Sequence, residues 1–418
     1  MPGYIFNLDS EEAVEQCAIN GVYGTRITRG ARNPLAQLAT LADYLTMREG
    51  FLVFFFQDRM IYGVGKVVGI QPKGRTMASL CNFPESDSLA TRAPPPSRQL
   101  AADEGVDGKD VRWVVFYEPF PRFVKHGLDM DEALTADKYG AMRQLRVFWK
   151  RSFMEIEDDE AQLLADLLFQ KNRAALIAAQ GDRKGSDAKL FFDKSKIAAS
   201  HSAAAKKASN GAYAFDPARI VRRYVVEEGR VTQEAALQAW LVYHLTEGTQ
   251  WVKKIFGRFD VVINQVAASP FKPPDWMDKI DIFGYSRRKF VEGLPSTVTA
   301  YKIIELKRHT NKEVAEEGPN PIDQTMKYVD WIANTRAGGD YSLVKAFLIT
   351  KGFDADDIGY AAKTAKREYV VPRRPFTPAE WHRFTLVSYE ANADGEISLR
   401  KHEVDRRHED EDEETAGK

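Results

Sequence analysis

An acidic residue and a Glu-x-Lys pair lie on two short apolar segments of this chain. The segments are Lys279-Ile280-Asp281-Ile282-Phe283-Gly284 and Tyr301-Lys302-Ile303-Ile304-Glu305-Leu306-Lys307, and both are typical of buried β-strands. Side chains alternate between the two faces of a strand, so Glu305 and Lys307 share one face. If the two strands pair, Asp281 lies beside Glu305.

Two neighbouring carboxylates are costly to bury unless a cation neutralises them, and oxygen ligands suit a hard divalent ion. We therefore expect Mg²⁺ at Asp281 and Glu305, with Mn²⁺ as the alternative. Such an ion orients or deprotonates an attacking water, while Lys307 positions that water or neutralises charge on a phosphodiester. A lone Glu-x-Lys is usually a solvated cross-strand pair, so this interpretation depends on the surrounding residues.

Helices are predicted on both sides of these strands in the sequence. Apolar residues follow Glu234 at three- or four-residue spacing, at Leu237, Leu241 and Leu245. This spacing predicts one helix face, which would present Glu234 to the sheet. After the strands, Asn320 is suited to cap a helix on which Gln324 and Tyr328 lie one turn apart.

The order of these residues resembles the PD-(D/E)xK nuclease superfamily, which has an acid at the end of one strand and (D/E)-x-K on the next. Ile280 stands where the family's name has proline. RecB-like members add Gln-x-x-x-Tyr on the following helix, which Gln324 and Tyr328 match. The segment from Gln233 to Leu241 also resembles the Shedu antiphage nucleases.

The resemblance implies an α/β domain in which helices flank a mixed, restriction-endonuclease-like central sheet. It also implies a magnesium-dependent endonuclease that cuts DNA, in antiphage defence or in restriction of foreign or modified DNA. The implied metal ligands are Glu234, Asp281 and Glu305. The implied catalytic residues are Asp281, Glu305, Lys307, Gln324 and Tyr328.

The alternative is a catalytically inactive scaffold of the same fold that binds nucleic acid or a partner. The complete set of Asp281, Glu305 and Lys307 argues against it, because a scaffold has no physical need for all three.

Composition excludes several other classes of function. The 418 residues are 44% hydrophobic and 28% charged, as in an ordinary globular protein, and Cys17 and Cys81 have no metal-ligand spacing. No P-loop, Gly-x-Ser-x-Gly or His-Glu-x-x-His motif occurs. The chain does not start like a signal peptide, and the apolar run from Phe51 to Phe56 is too short to span a bilayer. We therefore expect a cytoplasmic protein without a membrane partner.

The net charge of −1 hides a local excess of basic residues around the acids. These residues are expected to contact nucleic-acid phosphates, and they are Arg287, Arg288, Lys302, Arg308 and Lys312. A plain solvated surface is the alternative for any one of them.

The N-terminal part predicts a small β-barrel with helices. Asp9-Ser10 can cap a helix containing Glu11 to Ile19, and β-rich runs flank the polar turn Gln57-Asp58-Arg59. This layout resembles the PUA-like superfamily and its EVE-type domains, diffusely and up to about Asn172. Such relatives often hold a flipped or modified base between aromatic rings. The candidate pocket residues are Tyr23, Trp113, Tyr117 and Trp149, and the alternative is that they are barrel core.

The expected plan has four parts. Residues 1–175 form a PUA-like or EVE-type sensing domain, 176–215 a flexible linker, 216–400 the nuclease domain, and 401–418 an acidic disordered tail. The sequence does not decide the oligomeric state, and a homo-oligomer is one option.

Overall fold

The structure is a computed structural model of the whole chain. The residues that it describes are 2–8, 10–28, 34–69, 80–84, 100–101, 111–119, 126–137, 142–145, 153–181, 194–209, 218–222, 224–226, 228–269, 278–294, 296–372, 374–402 and 404. The chain is a mixed α/β protein that divides into two units, Met1–Asp216 and Pro217–Lys418. This division falls next to residue 216, the expected start of the second domain. The acidic tail lies outside the described residues from 405 onward.

The first unit alternates short strands with helices. Its elements are β1 (Gly3–Asn7), α1 (Glu11–Asn20), β2 (Val22–Thr28), α2 (Pro34–Leu45), β3 (Leu52–Gln57), β4 (Met60–Val67), β5 (Leu80–Pro84), β6 (Leu100–Ala101), β7 (Val111–Pro119), β8 (Leu128–Asp129), α3 (Met130–Ala136), β9 (Phe153–Ile156), α4 (Asp158–Lys171), α5 (Arg173–Gly181) and α6 (Lys194–Ser209).

The described strands of this unit form one mixed sheet that curls into a half-barrel. The path runs β6-β2-β7-β4-β3-β1-β9, with β5 beside β7 and β8 beside β4. The predicted hairpin is present, because β3 and β4 pair antiparallel across Asp58 and Arg59. Both turn residues have positive φ angles, 47° and 67°, which match the right-handed twist of a two-residue hairpin. The predicted first helix is also present, and the Ser10 side chain accepts from the Ala13 N–H at its start.

Two of the candidate pocket residues lie in the core of this half-barrel. Tyr23 stacks on Phe6 with ring centroids 4.4 Å apart, and Tyr117 is fully buried beside Phe55. Neither ring therefore lines an open pocket, and the barrel-core alternative holds for both. Trp149 and the side chain of Trp113 lie outside the described residues.

The segment expected to be a flexible linker contains an ordered helix, α6. Its Ile197 and Ala204 are buried, and His201 packs edge-on against Phe116 with ring centroids 5.7 Å apart. The alanine-rich sequence favours a helix, and a buried stripe fixes it to the first unit. The flexible-linker expectation is thus corrected for residues 194–209.

A buried carboxyl group lies on β9 of the first unit. Glu155 is 2% exposed and lies beside the Tyr4 and Thr46 hydroxyls, which are 2.5 Å apart. Burial raises the pKa of Glu155 well above its ordinary value; the hydroxyls partly offset this increase, and the Asp43 carboxylate adds to it. Burial therefore favours the protonated, uncharged form of the Glu155 side chain.

The second unit has a central sheet with helices on both faces. Its elements are α7 (Ala218–Arg222), β10 (Val225–Val226), β11 (Arg230–Val231), α8 (Glu234–Glu247), α9 (Gln250–Phe256), β12 (Val261–Ala267), β13 (Lys279–Arg288), β14 (Thr297–Leu306), α10 (Asn311–Glu317), α11 (Pro321–Thr335), a 3₁₀ turn (Tyr341–Leu343), β15 (Val344–Thr350), α12 (Ala355–Thr364), β16 (Arg367–Val370), β17 (Pro378–Trp381), β18 (Phe384–Ala391) and β19 (Ile397–His402).

The described central strands follow the order β12-β13-β14-β15-β18-β19. The pairs β14–β15 and β15–β18 are parallel, while β12–β13, β13–β14 and β18–β19 are antiparallel. The sheet is therefore mixed, as the sequence analysis expected. Strand β13 continues to Arg288, four residues beyond Gly284, where its end was expected. Gly284 serves close packing instead, because a Cβ there would lie 2.5 Å from the Phe259 ring.

Helices α8 and α11 pack on opposite faces of this sheet. Ile322 and Val329 of α11 share a core with Ile303 of β14. Gln238 of α8 donates a hydrogen bond to Asn264 of β12. The preceding residue, Ile263, belongs to the core that α11 shares, and consecutive strand residues point to opposite faces, so α8 lies on the face away from α11. A residue at the sheet edge where β13 begins and β14 ends can therefore be reached from both helices.

None of the described helices is both long and apolar enough to cross a membrane.

We expect Glu155→Gln to stabilise the protein at pH 8 but not near pH 4. Burial raises the pKa of Glu155 in the folded protein above the unfolded value of 4.5. Its contribution to the free energy of unfolding is therefore fully present below pH 4.5 and is lost as pH rises through the folded-state pKa. The glutamine amide cannot lose a proton, so the stability of the variant relative to the unsubstituted protein should rise as pH increases from 4 to 8. Calorimetric melts of the full chain at pH 4, 6 and 8 measure it.

The exposed Glu49→Gln is the matched control and should change no melt. A loss of stability in Glu155→Gln that is equal at every pH would show that the carboxyl acts through its hydrogen bonds instead.

Candidate active site

Strand pairing brings the two predicted acids together. Ile282 of β13 pairs with Ile304 of β14, so the next residues along the antiparallel ladder, Asp281 and Glu305, are neighbours on one face. The Asp281 carboxylate also accepts a hydrogen bond from the Leu306 N–H at 2.8 Å. This bond fixes the acid against the end of β14.

Glu305 has one paired and one unpaired oxygen. Its side chain is 1% exposed, and Oε1 accepts from the Lys307 ammonium at 2.5 Å. The other oxygen, Oε2, is buried and has no hydrogen-bond partner among the described residues. Burial raises the pKa of Glu305 well above its ordinary value, and the Asp281 charge adds to this increase. A cation near Oε2 would satisfy this oxygen.

Lys307 is the cation of this cluster. Burial alone would lower its pKa, but the carboxylates of Glu305, Asp281 and Glu234 outweigh burial and raise it. Burial likewise raises the pKa of Asp281, against the opposing effect of Lys307. The ammonium is therefore charged at every physiological pH, and its position beside Glu305 is electrostatically fixed.

Glu234 joins the cluster from the first residue of α8. Burial, followed by the Asp281 charge, raises its pKa to about 7, and the Lys307 charge opposes this shift. The expectation that Glu234 faces the sheet agrees with these interactions. Three carboxyl groups thus share one ammonium.

Gln324 and Tyr328 approach from α11 on the other face of the sheet. Asn320 caps this helix by accepting from the Ile322 N–H, as expected. The Gln324 amide donates to the Tyr328 hydroxyl at 2.8 Å, which leaves the tyrosine proton available to a further acceptor. Burial raises the pKa of Tyr328, and the Glu305 charge adds to it, so the phenol stays neutral. The structure therefore brings Gln324 and Tyr328 close to the acids.

Gln238 is a site residue that the sequence analysis did not assign. Its amide nitrogen donates to Asn264 Oδ1 at 2.7 Å and to the Asp281 carbonyl at 2.6 Å, and the residue is buried. Gln265, whose φ of 56° is unusual for a non-glycine residue, lies opposite Asp281 on β12. Gln238 thereby ties α8 to the backbone of the strand acid. Its position one helical turn after Glu234 is the sequence signal that could have found it.

The predicted phosphate-binding residues fall into different places. Arg308 and Lys312 are exposed directly after the site, where Arg308 donates to the Thr232 carbonyl at 2.8 Å. Arg287 and Arg288 lie at the other end of β13, roughly 20 Å from Asp281 at the rise of a strand. Arg308 lies close to the acids, since its charge lowers the pKa of Glu234.

The structure contradicts the phosphate-binding role of Lys302. This side chain is 3% exposed, its ammonium donates to the Arg258 carbonyl, and it lies 4.3 Å from the centroid of the Phe259 ring. Burial lowers its pKa to about 7. The even-numbered face of β14 is covered by packed residues, which removes Lys302 from solvent and from any phosphate.

The carboxyl groups of this cluster could hold a magnesium ion, but with few protein ligands. Among the described residues, no group of three His, Cys, Asp and Glu side chains is arranged to hold a metal. Mg²⁺ is commonly bound by one or two carboxylates and several waters. Asp281 and the unpaired Oε2 of Glu305 supply those carboxylates, and Glu234 is the third carboxyl at the site.

No protein-family profile matches the chain. No curated protein is significantly similar to it.

We expect Mg²⁺ or Mn²⁺ to raise the melting temperature of the protein and to lose this effect in Asp281→Asn. A ligand that binds only the folded state at 100 times its dissociation constant stabilises by about 2.7 kcal/mol. Without metal, Asp281→Asn should melt higher than the unsubstituted protein, because one of the mutually repelling carboxylates is gone. Thermal melts with metal and with chelator measure both effects.

The exposed Glu317→Gln provides the control carboxylate and should keep the metal response. Equal shifts in Asp281→Asn and in the unsubstituted protein would place the ion elsewhere.

We expect Gln238→Ala to weaken both folding and divalent-ion affinity. Folding should lose about 1–3 kcal/mol, because Asn264 Oδ1 and the Asp281 carbonyl lose a buried donor. Metal affinity should fall by roughly 10- to 100-fold, as for other residues that orient metal ligands. Chemical denaturation and calorimetric metal titration measure the two losses.

Gln250→Ala, on the exposed surface of α9, is the matched control for both measurements. A purely structural glutamine would reduce stability and leave the metal affinity of the folded protein unchanged.

Proposed function

We propose that this protein is a divalent-metal-dependent endonuclease that hydrolyses phosphodiester bonds of DNA. The observation that carries the proposal is the convergence of Asp281, Glu305 and Lys307 at the ends of two paired strands, with one oxygen of Glu305 unpaired. The resemblance to the PD-(D/E)xK superfamily supports the same chemistry from the order of these residues.

The protein's own groups supply binding and proton handling. A bound Mg²⁺, held by Asp281 and Glu305, would act as a Lewis acid toward the phosphate and its attacking water. Lys307 places a fixed positive charge beside Glu305, where it can attract an anionic oxygen. Glu234, whose pKa is about 7, is suited to accept a proton from water at neutral pH.

Tyr328 and the exposed basic residues extend this assignment. The neutral Tyr328 hydroxyl is held by Gln324 and can donate to an anionic oxygen near Glu305. Arg308 offers a phosphate contact next to the acids and the exposed Lys312 another at the start of α10, while Arg288 offers a third roughly 20 Å away along β13. A polymeric substrate can reach both places, whereas a mononucleotide cannot.

The first unit is proposed to choose the DNA that is cut. Its half-barrel and helices support, at the level of overall architecture, the proposal of a PUA-like domain. A separate domain of this kind is suited to a nuclease that must recognise foreign DNA. Restriction of modified DNA has weaker support, since Tyr23 and Tyr117 are packed in the core.

We expect Lys307→Ala to cleave DNA ~10²–10³ times more slowly, the usual effect of removing one preorganised electrostatic contact, while metal binding persists. An ammonium repels the ion and does not ligate it, so the lysine acts on the substrate. Single-turnover assays on plasmid, linear duplex DNA and RNA, each with Mg²⁺ and with chelator, measure the rate and the preferred substrate. Metal titration of the same variant measures binding.

Lys363→Ala, an exposed lysine on α12, is the control and should cut normally. A near-normal rate in Lys307→Ala would remove this lysine from the mechanism. DNA binding without cleavage under every metal condition would instead support the inactive-scaffold alternative.

A further inference from the structure

A second candidate binding site lies in the second unit, away from the carboxylate cluster. It is an open cleft of about 620 Å³ between α7, α8, α9 and the turn that joins β18 to β19. Its described lining includes none of Asp281, Glu305, Lys307, Gln324 and Tyr328. The volume is in the range of small-molecule sites.

One wall of this cleft is aromatic. Trp240 of α8 and Trp251 of α9 are stacked, with ring centroids 5.5 Å apart and an interplanar angle of 28°. The His244 ring lies 4.6 Å from Trp240 and 5.2 Å from Trp251. Burial lowers the pKa of His244 to about 4, so its ring is uncharged at neutral pH. Trp240 is only 3% exposed, so the rings that this wall offers to a ligand are the partly exposed Trp251 and the uncharged His244.

The β18–β19 turn adds two exposed carboxylates, Glu390 and Glu396. Asn392 donates to Glu396 Oε2 at 3.0 Å, and Arg222 donates to the Asp394 carbonyl at 2.8 Å. Gly395 has a φ of +81°, and a Cβ there would lie 2.3 Å from the Ala218 carbonyl oxygen. The turn is thus held against α7, and Asn392 orients the Glu396 carboxylate before any ligand arrives.

The charge of the cleft selects the class of ligand. Of the described residues that line it, two are glutamates and none is lysine or arginine. Phosphates and carboxylates would be repelled by this lining. A cation gains from the carboxylates and from the negative face of the Trp251 ring.

We propose that this cleft binds a small organic cation of the alkylammonium class. The apolar part of such a ligand packs against the partly exposed Trp251, which Trp240 supports from below by stacking, while its charged nitrogen faces Glu390 and Glu396. The aromatic wall gives shape selectivity, and the carboxylates give charge selectivity. This site is independent of phosphodiester hydrolysis, because it shares no lining residue with the carboxylate cluster.

Isothermal titration of the full chain with choline and with 3,3-dimethylbutan-1-ol tests the proposal. The two molecules have nearly the same shape, but only choline is charged. We expect choline to bind roughly 3- to 30-fold more tightly than its neutral counterpart, the range typical of cation–aromatic recognition. Adenosine, an uncharged stacking ligand, should bind more weakly than choline.

Variants locate the binding. The double substitution Glu390→Gln and Glu396→Gln should weaken choline binding and leave 3,3-dimethylbutan-1-ol unchanged, and Trp251→Leu should weaken both. The glutamates are exposed, and glutamine keeps the acceptor for Asn392, so folding is preserved. Glu368→Gln, an exposed acid on β16, is the matched control and should bind choline normally.

The proposal is overturned if choline gives no binding heat, if the neutral isostere binds equally well, or if adenosine binds best. It is also overturned if choline binds the double glutamine variant with unchanged affinity, because the cation would then occupy another acidic surface.

Discussion

Mutual repulsion among buried carboxylates is the constraint on which the second unit depends. Pairing of β13 with β14 places Asp281 next to Glu305, and the start of α8 adds Glu234. Burial raises the pKa of all three groups. The Lys307 ammonium opposes this increase in each of them, and Arg308 also opposes it in Glu234. A protein keeps such an arrangement at a cost in stability, and local strain or destabilisation of this kind is a mark of functional sites.

The surrounding fold holds the acids where they would otherwise separate. The Leu306 N–H fixes the Asp281 carboxylate, and Gln238 fixes the Asp281 carbonyl from the helix behind the sheet. From the opposite face, α11 brings a neutral tyrosine toward Glu305. The backbone of β14, helix α8 and helix α11 each restrain the cluster. Its geometry therefore does not depend on the ion pair alone. Preorganisation of this kind is what electrostatic catalysis requires.

Local patterns predicted part of the second unit, including the strand pair that carries Asp281 and Glu305. Alternation along β14 placed Glu305 and Lys307 on one face, and the cap at Asn320 gave the start of α11. The same patterns could not show that Lys302 is covered, because its neighbour Phe259 lies in a different part of the chain. Nor could they place Arg288 far from the acids, since that follows from the full length of β13.

Glycine illustrates why tertiary packing limited the prediction. Gly284 has the local signature of a strand end, yet the strand runs through it, because the Phe259 ring occupies the space that a side chain would take. The alanine-rich segment before residue 210 was expected to be a flexible linker, yet it is an ordered helix because Ile197 and Ala204 are buried. In both cases the deciding contact is remote in sequence. Residues whose role depends on such contacts, Gln238 among them, become visible only when the sheet is assembled.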